Sequence, residues 1–236
     1  DIRELRTEHI EFSGEIMDRV LRSAILNSNV IDVIQDNKRP FDELMSKYRC
    51  AIMEIETKFK VLNEQYSLQY DRNPIETIKT RLKSMESISR KLAQKGKSFS
   101  AKSMEENLDD IAGVRVICSF QEDIYTLAKC LLDQDDIELL ETKDYIKNPK
   151  PNGYRSYHLV VNLPVRTTES SKRVNAEIQL RTIAMDFWAS LEHEMKYKKH
   201  IQNQDLICSE LKRCADEMAS ADVDMQAIRD MIAKGE

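Results

Sequence analysis

Nine residues, Arg173-Val174-Asn175-Ala176-Glu177-Ile178-Gln179-Leu180-Arg181, combine strand alternation with a polar face that has chemistry available to it. Side chains alternate across a strand, so Val174, Ala176, Ile178 and Leu180 share one face. Arg173, Asn175, Glu177, Gln179 and Arg181 share the other. Two cations, a carboxylate and two amides in one row suit a polyanion, a metal and a base edge together. A solvated face of an antiparallel sheet gives the same pattern, and this stretch alone favours that simpler reading.

Four further constellations bear on the choice. In Asp109-Asp110-Ile111-Ala112-Gly113-Val114-Arg115-Val116 a carboxylate stands at the mouth of a strand. Mg²⁺ takes one or two carboxylates together with phosphate oxygens and water, so Asp110 is a candidate ligand. Gly113 permits close backbone approach, and Arg115 can reach a phosphate or stack on a base. An Asp turn before an edge strand is the alternative. Lys83, Ser87 and Lys91, preceded by Arg81, are spaced four apart, which on a helix aligns them on one face. Cations and a hydroxyl along one line suit a triphosphate, against the alternative of a solvated basic helix. The loop Lys150-Pro151-Asn152-Gly153-Tyr154-Arg155-Ser156-Tyr157-His158 puts Tyr154, Ser156 and His158 on one side of a regular strand. Tyr154 offers a ring for a purine and His158 a donor for phosphate or ribose; a hairpin loop with a buried aromatic is the alternative. Asp186 is apt for guanine, whose N1–H and 2-amine a carboxylate can accept together, or else it is a first-turn acid favoured by the helix dipole. Neither a P-loop nor a GxGxxG fingerprint is present, so a nucleotide site here is of another type.

The elements that must position these groups follow from periodicity. Residues 2–35 show helical spacing up to Pro40. Leu44, Tyr48, Ile52, Ile55, Phe59, Leu62 and Tyr66 then recur at steps of three or four, predicting a helix from Phe41 to about Tyr70. A shorter helix is expected over Ser84 to Gln94. Strands are expected over Ile111 to Phe120, Glu138 to Glu141, Tyr154 to Leu163 and Arg173 to Arg181, with a helix over Gln121 to Leu132. Thr182 reads as a helix N-cap, and the helix after it carries Trp188, Leu191 and Met195 as its expected buried stripe. A last amphipathic helix covers Gln204 to Ile232. The predicted fold class is α/β of the α+β type: a central mixed, largely antiparallel sheet with helices before, between and after it.

The net charge of −5 argues against general coating of DNA, but its distribution is uneven. From Lys79 to Lys102 eight basic residues face one acid, giving +7, whereas residues 203–236 hold eight acids and four bases. A local cationic patch in an anionic chain points to a small phosphorylated ligand. The five cysteines, widely spaced and without a CxxC pair, read as reduced thiols of a cytoplasmic protein. No apolar run reaches the ~20 residues of a membrane span, and no signal-peptide pattern opens the chain.

Taken together, Arg81-Leu82-Lys83-Ser84-Met85-Glu86-Ser87, Asp109 to Arg115, Asn152 to His158, Glu177 to Thr182 and Ala184 to His193 resemble the synthetase domain of the RelA/SpoT homologues, most closely the small alarmone synthetases. The resemblance covers roughly residues 40–200. It implies a nucleotidyltransferase-like synthetase fold over residues 41–200, with a helical extension over 1–40 and a C-terminal helix over 201–236 as oligomer contacts. It implies a GTP pyrophosphokinase: the β,γ-diphosphate of ATP passes to the 3′-hydroxyl of GDP or GTP, giving ppGpp or pppGpp and AMP. Arg81 and Arg115 are then expected to hold adenine, and Lys83, Ser87 and Lys91 the ATP phosphates. Asp110, assisted by Glu177, is expected to bind Mg²⁺, and Glu177 to act as base toward the 3′-hydroxyl. Tyr154 is expected to stack on guanine, with Lys143, Lys150, Asn152, His158, Gln179 and Asp186 around the acceptor. A homotetramer is implied, as is synthesis without hydrolysis, since no His-Asp hydrolase constellation lies upstream. A regulatory nucleotide or single-stranded RNA is a further partner class left open. The competing readings are a catalytically silent nucleotide- or single-stranded-RNA-binding module on the same fold, whose cationic segment follows a phosphate backbone, and a structural oligomerisation protein.

Overall fold

The structure, a computed structural model, describes residues 38–70, 72–167, 171–196 and 203–235. The helical spacing of residues 2–35 lies outside the described residues. In chain order the elements are α1 (Lys38–Tyr70), β1 (Ile75–Leu82), α2 (Met85–Gln94), α3 (Ala101–Asn107), β2 (Ala112–Cys118), α4 (Gln121–Leu132), β3 (Glu138–Asp144), β4 (Tyr157–Arg166), β5 (Ser171–Thr182), α5 (Ile183–Lys196) and α6 (Gln204–Lys234). Two compact units divide them. One joins residues 38–46 to Ser84–Leu108, and the other joins Lys47–Lys83 to residues 109–235. No described helix is long and apolar enough to cross a membrane.

In the first unit, Ser84 caps α2 by accepting from the Ser87 N–H, and Ser100 caps α3 by accepting from Ser103. Ile88 and Leu92, one turn apart, are buried. Phe41 stacks on Phe99 with ring centroids 5.1 Å apart. The sequence reading did not contain α3, whose seven residues are too few to show a period.

The second unit is built on one five-stranded sheet in the order β1-β2-β5-β4-β3. Only β2 and β5 pair in parallel; the other three pairings are antiparallel, so the sheet is mixed and largely antiparallel as expected. On one face Val114, Val116, Leu159, Val161, Ile178 and Leu180 are buried, and α4 packs against β2 and β5. Of the expected α1 stripe, Leu44, Tyr48, Ile52, Ile55, Phe59 and Leu62 are buried and Tyr66 is half-buried.

The C-terminal helix is fastened to the sheet. Trp188 of α5 donates its indole N–H to the Leu211 carbonyl of α6 at 2.9 Å, and Ala189, Leu211 and Ala215 close around it. Thr182 donates to Asp222 at 2.6 Å while its hydroxyl oxygen accepts from the Met185 N–H, so it caps α5 as expected. Burial raises the Asp222 carboxyl above its ordinary range against the lowering hydrogen bonds of Thr182 and Gln121.

Four expectations are corrected. The segment before α2 is a strand, β1, where a helix face from Lys83 was expected; Lys79, Arg81 and Lys83 alternate with Thr80 and Leu82. Strand β3 extends to Asp144, and β5 runs from Ser171 to Thr182. Strand β4 begins at Tyr157, because residues 150–154 close on themselves: Gly153 N–H donates to Lys150 O at 2.8 Å and Lys150 N–H to Tyr154 O at 3.1 Å. Gly153 adopts φ +91°, and a Cβ there would sit 2.6 Å from that of Ala215, so glycine is required. Lastly, Trp188 is buried on α5 but Leu191 and Met195 are exposed; the face turned inward is Met185, Trp188 and Ala189.

Phe59 is fully buried, so Phe59→Ala is expected to cost roughly 3–5 kcal/mol. A urea midpoint that falls at unchanged slope checks this; a loss below about 1 kcal/mol would remove the α1 stripe from the core.

Candidate active site

Strand pairing alone lines up the polar residues. Lys79 of β1 is opposite Arg115 of β2, Arg115 opposite Gln179 of β5, Gln179 opposite His158 of β4, and His158 opposite Lys143 of β3. Directly paired residues share a face, so these five form one row across the whole sheet. The next row is Arg81, Gly113, Glu177, Val160 and Glu141. Asp110 stands just before β2. Lys79, Arg81, Lys83, Asp110, Gly113, Arg115, Glu177 and Gln179 line a cleft of about 420 Å³ on this face.

At one end of the cleft the Lys83 ammonium donates to Asp110 Oδ2 at 2.6 Å. Asp110 is also close enough to Glu177 for its charge to oppose ionisation there. Two carboxylates facing open space form a donor set that fits Mg²⁺, which completes its shell with phosphate oxygens and water. Among the described residues no group of three or more His, Cys, Asp and Glu converges.

Glu177 is held from two sides. Gln179 Nε2 donates to its Oε2 at 2.9 Å, and His158 Nδ1 lies 3.4 Å from its Oε1. Burial pushes the carboxyl up, but the bond and charge of His158 and the bond of Gln179 outweigh it, leaving Glu177 below the usual carboxylate range. His158 Nε2 in turn lies 2.9 Å from the Tyr154 hydroxyl. The Lys150 ammonium stands over the rings of both Tyr145, at 4.7 Å, and Tyr154, at 4.9 Å.

At the other end lies Asp186, 6% exposed, reached by three cations. Lys79 donates to Oδ2 at 2.8 Å, and Arg115 and Arg181 donate to Oδ1 at 3.2 and 3.1 Å. Burial raises its pKa, but these partners hold it below the ordinary value. Arg115 also donates Nε to Gln179 Oε1 at 3.4 Å; burial and the Arg181 charge lower its pKa against the pull of Asp186.

The expected residues are thus distributed as follows. Asp110, Glu177, Arg81, Lys83, Arg115 and Gln179 share the cleft, and Tyr154, His158 and Asp186 join it through hydrogen bonds. Lys143 is in the same row, paired with Glu141, whose bond raises its pKa. Asn152 has both ends of its amide engaged, donating to Glu192 and accepting from the Tyr154 N–H, so it shapes the loop. Ser87 and Lys91 stand on α2 in the other unit. Residues overlooked in the sequence are Lys79 and Tyr145, and Arg181 was named on the polar strand face without a role. The signal for Lys79 was present in the alternation Lys79-x-Arg81-x-Lys83. Arg173 and Asn175, unassigned from the sequence, hydrogen-bond Asn162 and Asp109.

A family model described as a region found in RelA / SpoT proteins matches residues 80–202. The chain is 48% identical over 169 residues to the GTP pyrophosphokinase YwaC of Bacillus subtilis, covering 72% of this chain and 80% of that one. The chain belongs to the RelA/SpoT family. Its structure is similar to that of small alarmone synthetase 2 from B. subtilis, with a TM-score of 0.71 and 43% identity over 79% of this chain and 97% of that one. It is also similar to B. subtilis small alarmone synthetase 1 bound to its product pppGpp, with a TM-score of 0.74 and 34% identity over 81% and 97% of the two chains. The matched segment of this RelA/SpoT-family chain contains both cleft carboxylates, the loop of residues 150–154 and Asp186.

Glu177 and Asp186 titrate lower in the folded than in the unfolded chain. Each therefore adds stability at neutral pH that begins to fade below its ordinary value, 4.5 and 3.8, and is gone once the depressed folded value is passed. His158→Ala removes the main lowering partner while burial persists. The Glu177 carboxyl is then expected to titrate at higher pH, followed by ¹³C NMR of labelled Glu, and an unmoved titration would break the His158–Glu177 link.

Proposed function

We infer that the chain is a GTP pyrophosphokinase that makes alarmone, passing the β,γ-diphosphate of ATP to the 3′-hydroxyl of GDP or GTP and releasing AMP. The observation that carries the site assignment is the convergence of Asp110 and Glu177 with cations on one cleft. A module that only binds nucleotide has no need of two carboxylates against a polyanion, which disfavours the silent reading.

Adenine is assigned to Arg81 and Arg115. Their strand positions are diagonal neighbours, a relation that spaces side chains about 7–8 Å apart. A planar ring needs roughly 3.5 Å on each face, so it fits between two guanidinium planes in that spacing. The ATP phosphates fall to Lys83 and, by the family resemblance, to Ser87 and Lys91. Lys83 adds positive charge where the transferred group gathers negative charge. Asp110 with Glu177 would hold Mg²⁺, which when bound would neutralise phosphate charge and orient the diphosphate.

On the acceptor side Tyr154 stacks on guanine, displacing the Lys150 ammonium toward the phosphates. Asp186 accepts from guanine by exchanging Lys79, the most exposed of its three partners. Lys143 and His158 flank the ribose and phosphates from the same row, and Asn152 acts by shaping the loop. Glu177 accepts the hydrogen bond of the 3′-hydroxyl and then its proton as the oxygen attacks the ATP β-phosphorus in line with AMP. The exposed row Ile183, Phe187, Leu191 and Met195, one turn apart along α5, supports assembly into a tetramer.

Incubation with ATP, Mg²⁺ and each of GMP, GDP and GTP is expected to release AMP and a 3′-pyrophosphorylated product; absence of both in every case would overturn the assignment. Glu177→Gln is expected to keep nucleotide binding and to lose roughly 10²–10⁴-fold in transfer, and full activity would remove its role. Phe187→Glu is expected to shift the mass seen by light scattering from tetramer to smaller species, and an unchanged mass would exclude the α5 row from the contact.

A further inference from the structure

Arg181 is the last residue on the polar face of β5, the face it shares with Glu177 and Gln179, yet it is only 3% exposed. A guanidinium can only donate, and it cannot shed its charge in a protein, so burial requires acceptors for nearly every N–H. The acceptors here are functional neighbours. Nε donates to Ser156 Oγ at 3.3 Å, Nη1 to Asp186 Oδ1 at 3.1 Å, and Nη2 to Tyr154 Oη at 2.7 Å and Gln179 Oε1 at 3.1 Å. Three of these four residues, Tyr154, Gln179 and Asp186, are among those the family resemblance places around the acceptor.

The bond to Tyr154 also has a direction. Arg181 donates to the phenol oxygen, which leaves the phenol proton free to point at His158 Nε2, 2.9 Å away. Neutral histidine accepting at Nε2 carries its proton on Nδ1. That nitrogen lies 3.4 Å from Glu177 Oε1. The chain of donation then runs one way, from Arg181 through Tyr154 and His158 to Glu177.

We propose that Arg181 is a positioning residue for the acceptor side, resting on the assignment of Tyr154, Gln179 and Asp186 to the guanine nucleotide. Its guanidinium fixes those three side chains as one unit and, through Tyr154, sets His158 in the Nδ1–H tautomer that donates to Glu177. Lysine cannot replace it, because one ammonium has no planar fork to reach an amide, a phenol and a carboxylate together. Asp186 keeps two cations, Lys79 and Arg115, when Arg181 is removed, so the substitution does not strand a buried charge.

Arg181→Met and Arg181→Lys test this, with Tyr154→Ala as reference. Both Arg181 variants are expected to raise KM for GDP and GTP roughly ten- to hundredfold. Binding of a non-hydrolysable ATP analogue should change less than about threefold, because Arg181 reaches the ATP side only through Arg115, which shares Gln179 and Asp186 with it and keeps both when Arg181 is removed. ¹⁵N NMR of labelled histidine is expected to show His158 as the Nδ1–H tautomer in the native chain and as a mixture in the variants. If Arg181→Met does not fold, Arg181→Lys keeps the buried charge and carries both readouts. Unchanged acceptor KM in Tyr154→Ala would overturn the acceptor assignment and this inference with it. A raised KM in Tyr154→Ala beside an unchanged KM and tautomer in the folded Arg181 variants would overturn this inference alone, as would equal losses toward ATP and acceptor.

Discussion

The parallel register between β2 and β5 is the constraint on which the site depends. It sets Gly113 beside Glu177 and Arg115 beside Gln179, so the loop before β2 delivers Asp110 near the same point. Side-chain period in a strand is two, and a one-residue slip of β2 would turn Val114 into the cleft and bury Arg115, while the same slip of β5 would turn Ile178 into it and bury Glu177. The apolar face under α4 forbids that slip. Gly113 adds a smaller condition. Between Arg81 and Glu177 it contributes no side chain, and that keeps the floor of the cleft open.

Charge placement follows from this frame. A chain of net charge −5 gathers Lys79, Arg81, Lys83, Arg115 and Arg181 on one face and sets Asp110, Glu177 and Asp186 among them. Each ion is expensive to bury alone and tolerable when paired and hydrogen-bonded. Asp186 shows how this works, since three cations satisfy it and thereby fix one another. Such a set is ordered before nucleotide arrives, which reduces the reorganisation left for the reaction itself.

Much of this was legible in sequence. Helix α1 and strand β5 announced themselves because long stretches with one buried face carry a clean period, 3.6 in one and 2 in the other. The members of the site were legible by type: Asp110, Glu177, Tyr154 and His158 stand in short motifs whose chemistry converges on nucleotide. Their arrangement was harder to see. Lys83, Ser87 and Lys91 are four apart, and spacing alone could not reveal that β1 runs to Leu82 and leaves Lys83 ahead of the helix expected from Ser84. Leu191 and Met195 fit a helical stripe yet face outward, because a period does not say which face meets the sheet. Arg181 stayed without a role because strand alternation shows which side a residue is on and not what covers that side. Its burial depends on Asp186 of α5, Ser156 and the Tyr154 loop, and none of these is near it in a strand pattern.

The environment of Glu177 bears on how such a site can be fast. Efficient general bases have pKa values near the working pH, whereas His158 and Gln179 hold this carboxylate low. The two demands conflict only if proton removal must precede attack. Phosphoryl-type transfer passes through a loose transition state in most analyses, with little bond formation to the nucleophile. The hydroxyl then keeps its proton until late, when its acidity has risen and a weak base suffices. What the early stage needs is a fixed acceptor that aligns the oxygen, and one that stays ionised beside the negative charge of Asp110. The bond from His158 supplies both, giving up basicity that the proposed reaction does not require. On that argument the polar face of the sheet is organised for position ahead of proton affinity, and its most buried cation, Arg181, acts on how Glu177 is held without touching a reacting atom.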